Sequence, residues 1–159
     1  MSKVLLYVDD AKDDLFLFSA ACRLSHMRNR LVLLNGGTQA IRYLDRRDAY
    51  ADRDQFPDAD IILLDVKMPE VDGFAVLRHL RSDPARAGWP VGLLTSSDWP
   101  GDVEQARKLG ATWYFRKPPD MKHLVEFATI MDGCLEQDPG AREAAARLSI
   151  FSDADGGVS

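Results

Sequence analysis

Polar residues that could bind a cation or an anion follow four separate apolar segments of the chain. The four groups are Asp9-Asp10 after residues 4–8, Asp65 after residues 61–64, Thr95-Ser96-Ser97 after residues 91–94, and Lys117-Pro118 after residues 113–115. A single aspartate at such a point usually caps a turn or the next helix, and a Thr-Ser-Ser cluster can do the same. Because the groups recur at four segment ends, we interpret them together as parts of one site.

Asp9, Asp10 and Asp65 are the candidate metal ligands of this site. Three carboxylates gathered in one place repel each other strongly unless a cation lies among them. Their donor atoms are all oxygens, without a histidine or a thiolate, and this favours a hard ion such as Mg²⁺ or Mn²⁺. The residue types therefore predict a binding site for a divalent cation.

Lys117 and Thr95 add a positive charge and a hydroxyl group to the same cluster. These are the groups that an incoming phosphoryl group needs for neutralisation of its charge. An aspartate carboxylate can also act as a nucleophile toward phosphorus and form an aspartyl phosphate. The combination indicates metal-assisted phosphoryl chemistry.

Short apolar runs alternate with amphipathic helical patterns, which is typical of βα units around a parallel sheet. The predicted strands are residues 4–8, 31–34, 61–64, 91–94 and 113–115. The predicted helices are residues 13–25, 38–47, 74–81, 102–109 and 121–136. Five strands and five helices in alternation predict an α/β doubly wound sheet, in which ligands bind beyond the carboxyl ends of the strands. The four polar groups should then meet at one edge.

The length of 159 residues suits one folded domain followed by a short tail. We expect the folded domain over residues 1–136 and the tail over residues 137–159, with a short helix within residues 141–150 and a disordered end. Cys22 and Cys134 lack metal-binding spacing, so we expect reduced thiols that are packed in the protein interior.

The net charge of −5 argues against binding to nucleic acid or to an anionic membrane surface. The apolar run at the start is too short for a signal peptide or a membrane span, so we expect a cytoplasmic protein.

Four sequence motifs carry a resemblance to a known family. YVDD at 7–10, LLDVKMPEVDGF at 63–74, LLTSS at 93–97 and YFRKP at 114–118 resemble the motifs of response-regulator receiver domains of two-component systems. The resemblance covers about residues 3–135 and implies a flavodoxin-like sheet with strand order 2-1-3-4-5. Within the family, the chain looks most like single-domain regulators of the kind encoded beside bacteriophytochromes.

The resemblance implies a role for each of the matching residues. Asp65 would be the phosphoacceptor and a metal ligand, Asp10 would bind Mg²⁺ directly, and Asp9 would hold the ion partly through water. The main-chain carbonyl of Lys67 would complete the protein's share of the metal ligands, and Mn²⁺ could replace Mg²⁺.

The resemblance also implies which groups would bind the phosphoryl group and transmit its presence. Lys117 and Thr95 would assist the chemistry, and Ser96, Val66 and Lys67 would line the phosphoryl site. Phosphorylation would draw Thr95 inward and leave space for Tyr114, which would alter the face formed by the fourth helix, fifth strand and fifth helix. The partners would be a sensor histidine kinase and a downstream protein, so the chain would be a signalling protein rather than an enzyme with a separate substrate.

Two other functions and one assembly stay open at this point. A pseudo-receiver would serve only as an interaction module, but the complete acidic, hydroxyl and lysine set argues against it. A phosphatase with an aspartyl intermediate would usually need an acid two residues after Asp9, where Ala11 stands. The apolar residues of the fifth strand and last helix could pair two copies in a homodimer, or the tail could cover that face. Two local features are also predicted, a cis bond at Lys117-Pro118 and a backbone conformation at Gly73 that side chains disfavour.

Overall fold

The computed structural model describes residues 2–96 and 99–151, in which a parallel sheet lies between two layers of helices. The strands are β1 (Val4–Asp9), β2 (Arg30–Asn35), β3 (Ile61–Asp65), β4 (Val91–Thr95) and β5 (Trp113–Arg116). The helices are α1 (Lys12–Leu24), α2 (Gly37–Leu44), α3 (Gly73–Arg81), α4 (Pro100–Lys108), α5 (Met121–Leu135) and α6 (Pro139–Leu148), and a 3₁₀ helix spans Asp48–Ala51. No helix in these described ranges has the length and apolar character to cross a bilayer.

The strand order is β2-β1-β3-β4-β5, and all neighbouring strands are parallel. The predicted α/β doubly wound sheet and its order 2-1-3-4-5 are therefore confirmed. The strands are apolar along most of their length because helices cover both faces of the sheet. β1 shows this directly, since all six of its residues are buried.

Alternate residues of each strand pack against different helices. On one face, Leu6 and Val8 join a core formed with α2, α3 and α4. On the other face, Leu5 and Tyr7 join a core formed with α1, α5 and α6. This division follows from the two-residue period of a strand. Every strand is thus fixed from both sides, and the positions of the strand ends are fixed with it.

The five helices predicted to alternate with the strands are present, and the sixth helix, α6, is the short helix expected in the tail, where it packs against the rest of the fold. Asp138 caps α6 through the N–H of Ala141, and Pro139 occupies the first turn, where a proline is tolerated. Ala145 is fully buried in the core shared with α5. The sequence pattern there is short and rich in alanine, so the pattern alone does not reveal the contact. The predicted disordered end lies almost entirely in residues 152–159, outside the described residues.

Two predicted local features also differ from the structure. The described residues contain no cis peptide bond, so the cis bond predicted at Lys117-Pro118 was wrong. Gly73 does not have a positive φ, and its requirement for glycine has another cause. A Cβ atom at Gly73 would lie 2.4 Å from the main-chain oxygen of Asp65. The start of α3 therefore lies directly against the end of β3, and only a residue without a side chain permits this approach.

We predict that Gly73→Ala destabilises the protein and disturbs the position of Asp65. The added methyl group would push α3 away from β3, and overpacking of this kind costs about 1–3 kcal/mol of unfolding free energy. Gly88→Ala is the matched control, because a Cβ at Gly88 meets no atom within 4 Å. Urea denaturation of the two variants measures the difference. Equal stability of both variants would contradict the close packing inferred at Gly73.

Candidate functional site

The predicted site residues meet at the carboxyl edge of the sheet. Asp9, Asp65 and Thr95 are the last residues of β1, β3 and β4. Lys117 follows β5 directly, and its N–H donates to the carbonyl of Thr95 at 2.7 Å. Parallel strands bring their carboxyl ends to one edge, so residues distant in sequence become neighbours.

Carboxylate oxygens of Asp9, Asp10 and Asp65 lie within 4.8 Å of one another. Asp9 is fully buried and Asp65 nearly so, whereas Asp10 is accessible to solvent. An all-oxygen donor set that combines buried and accessible carboxylates suits a hard divalent cation that retains some water ligands. The three residues that the sequence predicts as metal ligands are therefore brought together.

The ammonium group of Lys117 lies among several carboxylates of the site. Its Nζ atom is 2.9 Å from Asp9 Oδ2, 2.9 Å from Asp14 Oδ2 and 3.4 Å from Asp65 Oδ2. The lysine side chain is 23% exposed, so water screens these ion pairs only partly. In this arrangement Lys117 lies closer to Asp9 and Asp14 than to Asp65.

Asp9 is held by three hydrogen bonds. Its Oδ2 accepts from the Tyr7 hydroxyl at 2.7 Å and from Lys117, and its Oδ1 accepts from the N–H of Ala11 at 3.0 Å. Burial by itself would raise the pKa of Asp9, but these three donors together lower it below the ordinary value. Asp9 therefore stays ionised inside the protein.

The pKa of Asp65 is shifted in the opposite direction to that of Asp9. Burial and the negative charge of Asp9 raise the pKa of Asp65, although Lys117 acts in the other direction. For Lys117, burial lowers the pKa, but the hydrogen bonds to Asp14 and Asp9 and the charge of Asp65 outweigh burial and raise it. A single lysine thus fails to neutralise the site, and a bound cation would favour the ionised form of Asp65.

The loop after Asp65 carries two of the predicted phosphoryl-binding residues. The N–H of Val66 donates to the carbonyl of Leu94 at 2.9 Å, so this N–H belongs to the sheet in the present structure. The carbonyl of Val66 accepts from the N–H of Gly73 at 3.0 Å, which closes the loop. Lys67, two residues after Asp65, is exposed. Ser96 is exposed at the end of β4, and Ser97 lies outside the described residues.

The two predicted switch residues lie on neighbouring strands. Thr95 is 1% exposed and Tyr114 is 0% exposed. Leu93 of β4 is the register partner of Tyr114, and Thr95 lies two residues farther along the same strand. Leu93 and Thr95 therefore share a face of β4, and Tyr114 joins the same core as Leu93. This proximity is compatible with the predicted coupling between the two residues, which stays a prediction.

Tyr7 and Asp14 belong to the site although the sequence analysis did not single them out. Burial, followed by the charge of Asp9, raises the pKa of the Tyr7 hydroxyl, so this group remains a proton donor. Tyr7 lies two residues before Asp9 on β1, and the two-residue period could have revealed their shared face. Asp14 lies in the first turn of α1, where an acidic residue is ordinary. Only the three-dimensional contact with Lys117 distinguishes Asp14 from its neighbour Asp13.

Comparison with known proteins gives a family match over most of the chain. Residues 5–129 match the sequence model of the family described as the response regulator receiver domain. Response regulator Rcp1 of Synechocystis sp. is 31% identical over 124 residues, which cover 78% of this chain and 82% of Rcp1.

Solved structures with similar sequences have the same architecture. The phosphorylated cyanobacterial phytochrome response regulator RcpA is 27% identical with a TM-score of 0.75, over 86% of this chain and 95% of RcpA. The bacteriophytochrome response regulator RtBRR is 36% identical with a TM-score of 0.68, over 83% of this chain and 78% of RtBRR. The Mn²⁺-bound form of Rcp1 is 29% identical with a TM-score of 0.71, over 82% of this chain and 92% of Rcp1.

We predict that Mg²⁺ stabilises the folded protein and that Asp10→Asn removes most of this effect. Ligand at a hundred times its dissociation constant stabilises the native state by about 2.7 kcal/mol. Without metal, the variant should be as stable as the wild type or slightly more stable, because one of the mutually repelling carboxylates is neutralised. Urea denaturation in MgCl₂ and in EDTA, at equal ionic strength, measures both quantities.

Asp13→Asn is the control for the loss of one negative charge near the site. It should retain the full stabilisation by Mg²⁺. An equal stabilisation by Mg²⁺ in Asp10→Asn and in the wild type would show that the ion binds elsewhere.

Proposed function

Because the chain belongs to the response regulator receiver domain family, we propose that it accepts a phosphoryl group on Asp65 from a partner histidine kinase in a reaction that depends on Mg²⁺. The convergence of three carboxylates and Lys117 at the carboxyl edge of the sheet is the observation that carries this proposal. The receiver unit over residues 1–136 would contain every group that the reaction needs. The protein would then signal by contact with a downstream protein.

Four groups of the chain would hold the cation. They are the carboxylates of Asp10 and Asp65, the main-chain carbonyl of Lys67, and Asp9 partly through water. When bound, Mg²⁺ would neutralise negative charge on the carboxylates and on the oxygens of the phosphoryl group. Mn²⁺ suits the same oxygen donors, and the Mn²⁺-bound form of the relative Rcp1 supports this choice of cations.

Asp65 would act as the nucleophile in this reaction. An oxygen of its ionised carboxylate attacks the phosphorus atom of a phosphohistidine on the kinase. The bond between phosphorus and nitrogen breaks, its electron pair stays on the imidazole, and an aspartyl phosphate forms. Lys117 and the Thr95 hydroxyl bind the oxygens of the transferred group, together with the N–H groups of Ser96 and Lys67.

Asp14 would restrain Lys117 before the phosphoryl group arrives. The Nζ atom of Lys117 is 2.9 Å from Asp14 and 3.4 Å from Asp65, so the ammonium group must move away from Asp14 to bind phosphoryl oxygens fully. Asp14 is therefore a positioning residue that competes with the phosphoryl group for one cation. This contact raises the energy needed to engage Lys117 and tunes how readily Asp65 is modified.

The signal would leave the site through β4 and β5. Thr95 moves toward the phosphoryl group, and Tyr114 responds through the shared face of the sheet. The face formed by α4, β5 and α5 then changes shape, as expected for a two-state element that a new anion biases. RcpA and RtBRR are response regulators of phytochromes, which supports a phytochrome-type kinase as the phosphoryl donor. A homodimer through β5 and α5 would have to accommodate α6, which packs on α5.

We predict that acetyl phosphate and Mg²⁺ add one phosphoryl group to the wild-type protein. Asp65→Ala should gain none, because the nucleophile is absent, and EDTA should prevent the modification of the wild type. Intact-protein mass spectrometry measures the gain. A pseudo-receiver would gain no mass, and a phosphatase would instead release phosphate from simple esters with repeated turnover.

We also predict that Asp14→Asn increases the initial rate of phosphorylation by acetyl phosphate by about two- to fivefold. This range corresponds to the loss of one partly exposed ion pair that competes for Lys117. Asp13→Asn makes the same charge change one residue earlier and should leave the rate close to that of the wild type. An unchanged or reduced rate in Asp14→Asn alone would mean that Asp14 does not compete with the phosphoryl group.

A further inference from the structure

Residues 149–151, here named the tail segment, lie against the outer edge of β5. β5 is the last strand of the sheet in the part of the chain that the structure describes, so one of its edges is not paired with another strand there. The N–H of Ile150 donates to the carbonyl of Tyr114 at 2.7 Å, and the N–H of Tyr114 donates to Ser149 Oγ at 3.1 Å. Both main-chain polar groups of Tyr114 are thus hydrogen-bonded to the tail segment.

The side chain of Tyr114 also contacts the tail segment. The rings of Tyr114 and Phe151 are stacked with centroids 6.1 Å apart. The guanidinium group of Arg107, on α4, lies over the Phe151 ring, 4.8 Å from its centroid. Cation–π contacts and aromatic stacking both depend on ring orientation, so a rotated Tyr114 ring would lose part of this arrangement.

The tail segment lies on the face proposed to carry the signal. Ile150 and Phe151 pack against the core that contains Tyr114 and Ala106, which lies on α4. An uncovered sheet edge tends to pair with another chain, and proteins often cover such edges with a loop or strand of their own. Residues 149–151 therefore cover part of the face formed by α4, β5 and α5, through which the protein is proposed to signal.

We propose that the outer edge of β5 is a docking surface for the tail segment, and that docking of the tail segment and phosphorylation of Asp65 oppose each other. The tail segment stabilises the present orientation of the Tyr114 ring, and phosphorylation favours another orientation of this ring and releases the tail segment. This inference rests on the proposed function, because it assigns a regulator to the same switch. Thermodynamic linkage requires that each event weakens the other by the same factor.

Amide hydrogen exchange in the full chain tests the first half of this coupling. After treatment with acetyl phosphate and Mg²⁺, the peptide that contains residues 149–151 should exchange severalfold faster than in the untreated protein. Intact mass recorded from the same sample reports whether Asp65 is modified. Unchanged or slower exchange in a modified protein overturns the inference alone, whereas an absent mass gain overturns the proposed function and the inference with it.

Two pairs of variants test the reciprocal effect, that docking of residues 149–151 disfavours phosphorylation of Asp65. Phe151→Ala should raise the phosphorylated fraction at a fixed acetyl phosphate concentration by about two- to tenfold. This range corresponds to the loss of one stacked pair of aromatic rings. Leu148→Ala is its control, because Leu148 is 49% exposed and precedes the tail segment. Arg107→Ala should act in the same direction without removing a packed ring, and Lys108→Ala is its control for charge. Equal phosphorylation of each variant and its control overturns the coupling.

Discussion

The properties of the site depend on an excess of negative charge over positive charge at the carboxyl edge of the sheet. Asp9, Asp14 and Asp65 all lie close to the one ammonium group of Lys117. Asp9 takes the larger share of this compensation, because Tyr7 and Ala11 also donate hydrogen bonds to it. Asp65 is left under-compensated, which makes it the carboxylate that responds most strongly to an added cation.

The fold keeps this charge imbalance in place. Each strand is packed between two helical layers, so the strand ends cannot separate to relieve the repulsion. The close contact between Gly73 and the main chain of Asp65 fixes the loop that follows the nucleophile. The proposed cation and phosphoryl group would therefore meet a preorganised set of charges, in which Lys117 would exchange Asp14 for the phosphoryl oxygens.

Much of the fold and of the charge cluster could be predicted from sequence, for a physical reason. Buried strands of a parallel sheet are continuous apolar runs, and their ends are marked by the first charged residue, as at Asp9 and Asp65. The role of Asp14 could not be predicted, because it depends on a contact with one particular side chain, whereas the two-residue period of β1 places Tyr7 on the same face as Asp9. The sequence left open whether the tail or a second copy covers the face of the fifth strand, since short alanine-rich and aromatic patterns do not specify the surface on which they pack.

A crystal structure of the protein with Mg²⁺ and beryllofluoride, a stable analogue of the phosphoryl group, would test the central claim most directly. We expect beryllium on a carboxylate oxygen of Asp65, the metal ion between Asp10 and Asp65, and Lys117 Nζ moved from Asp14 to a fluorine atom. The account would be contradicted if Lys117 kept its contact with Asp14 while another residue bound the fluorines, or if beryllofluoride bound away from Asp65.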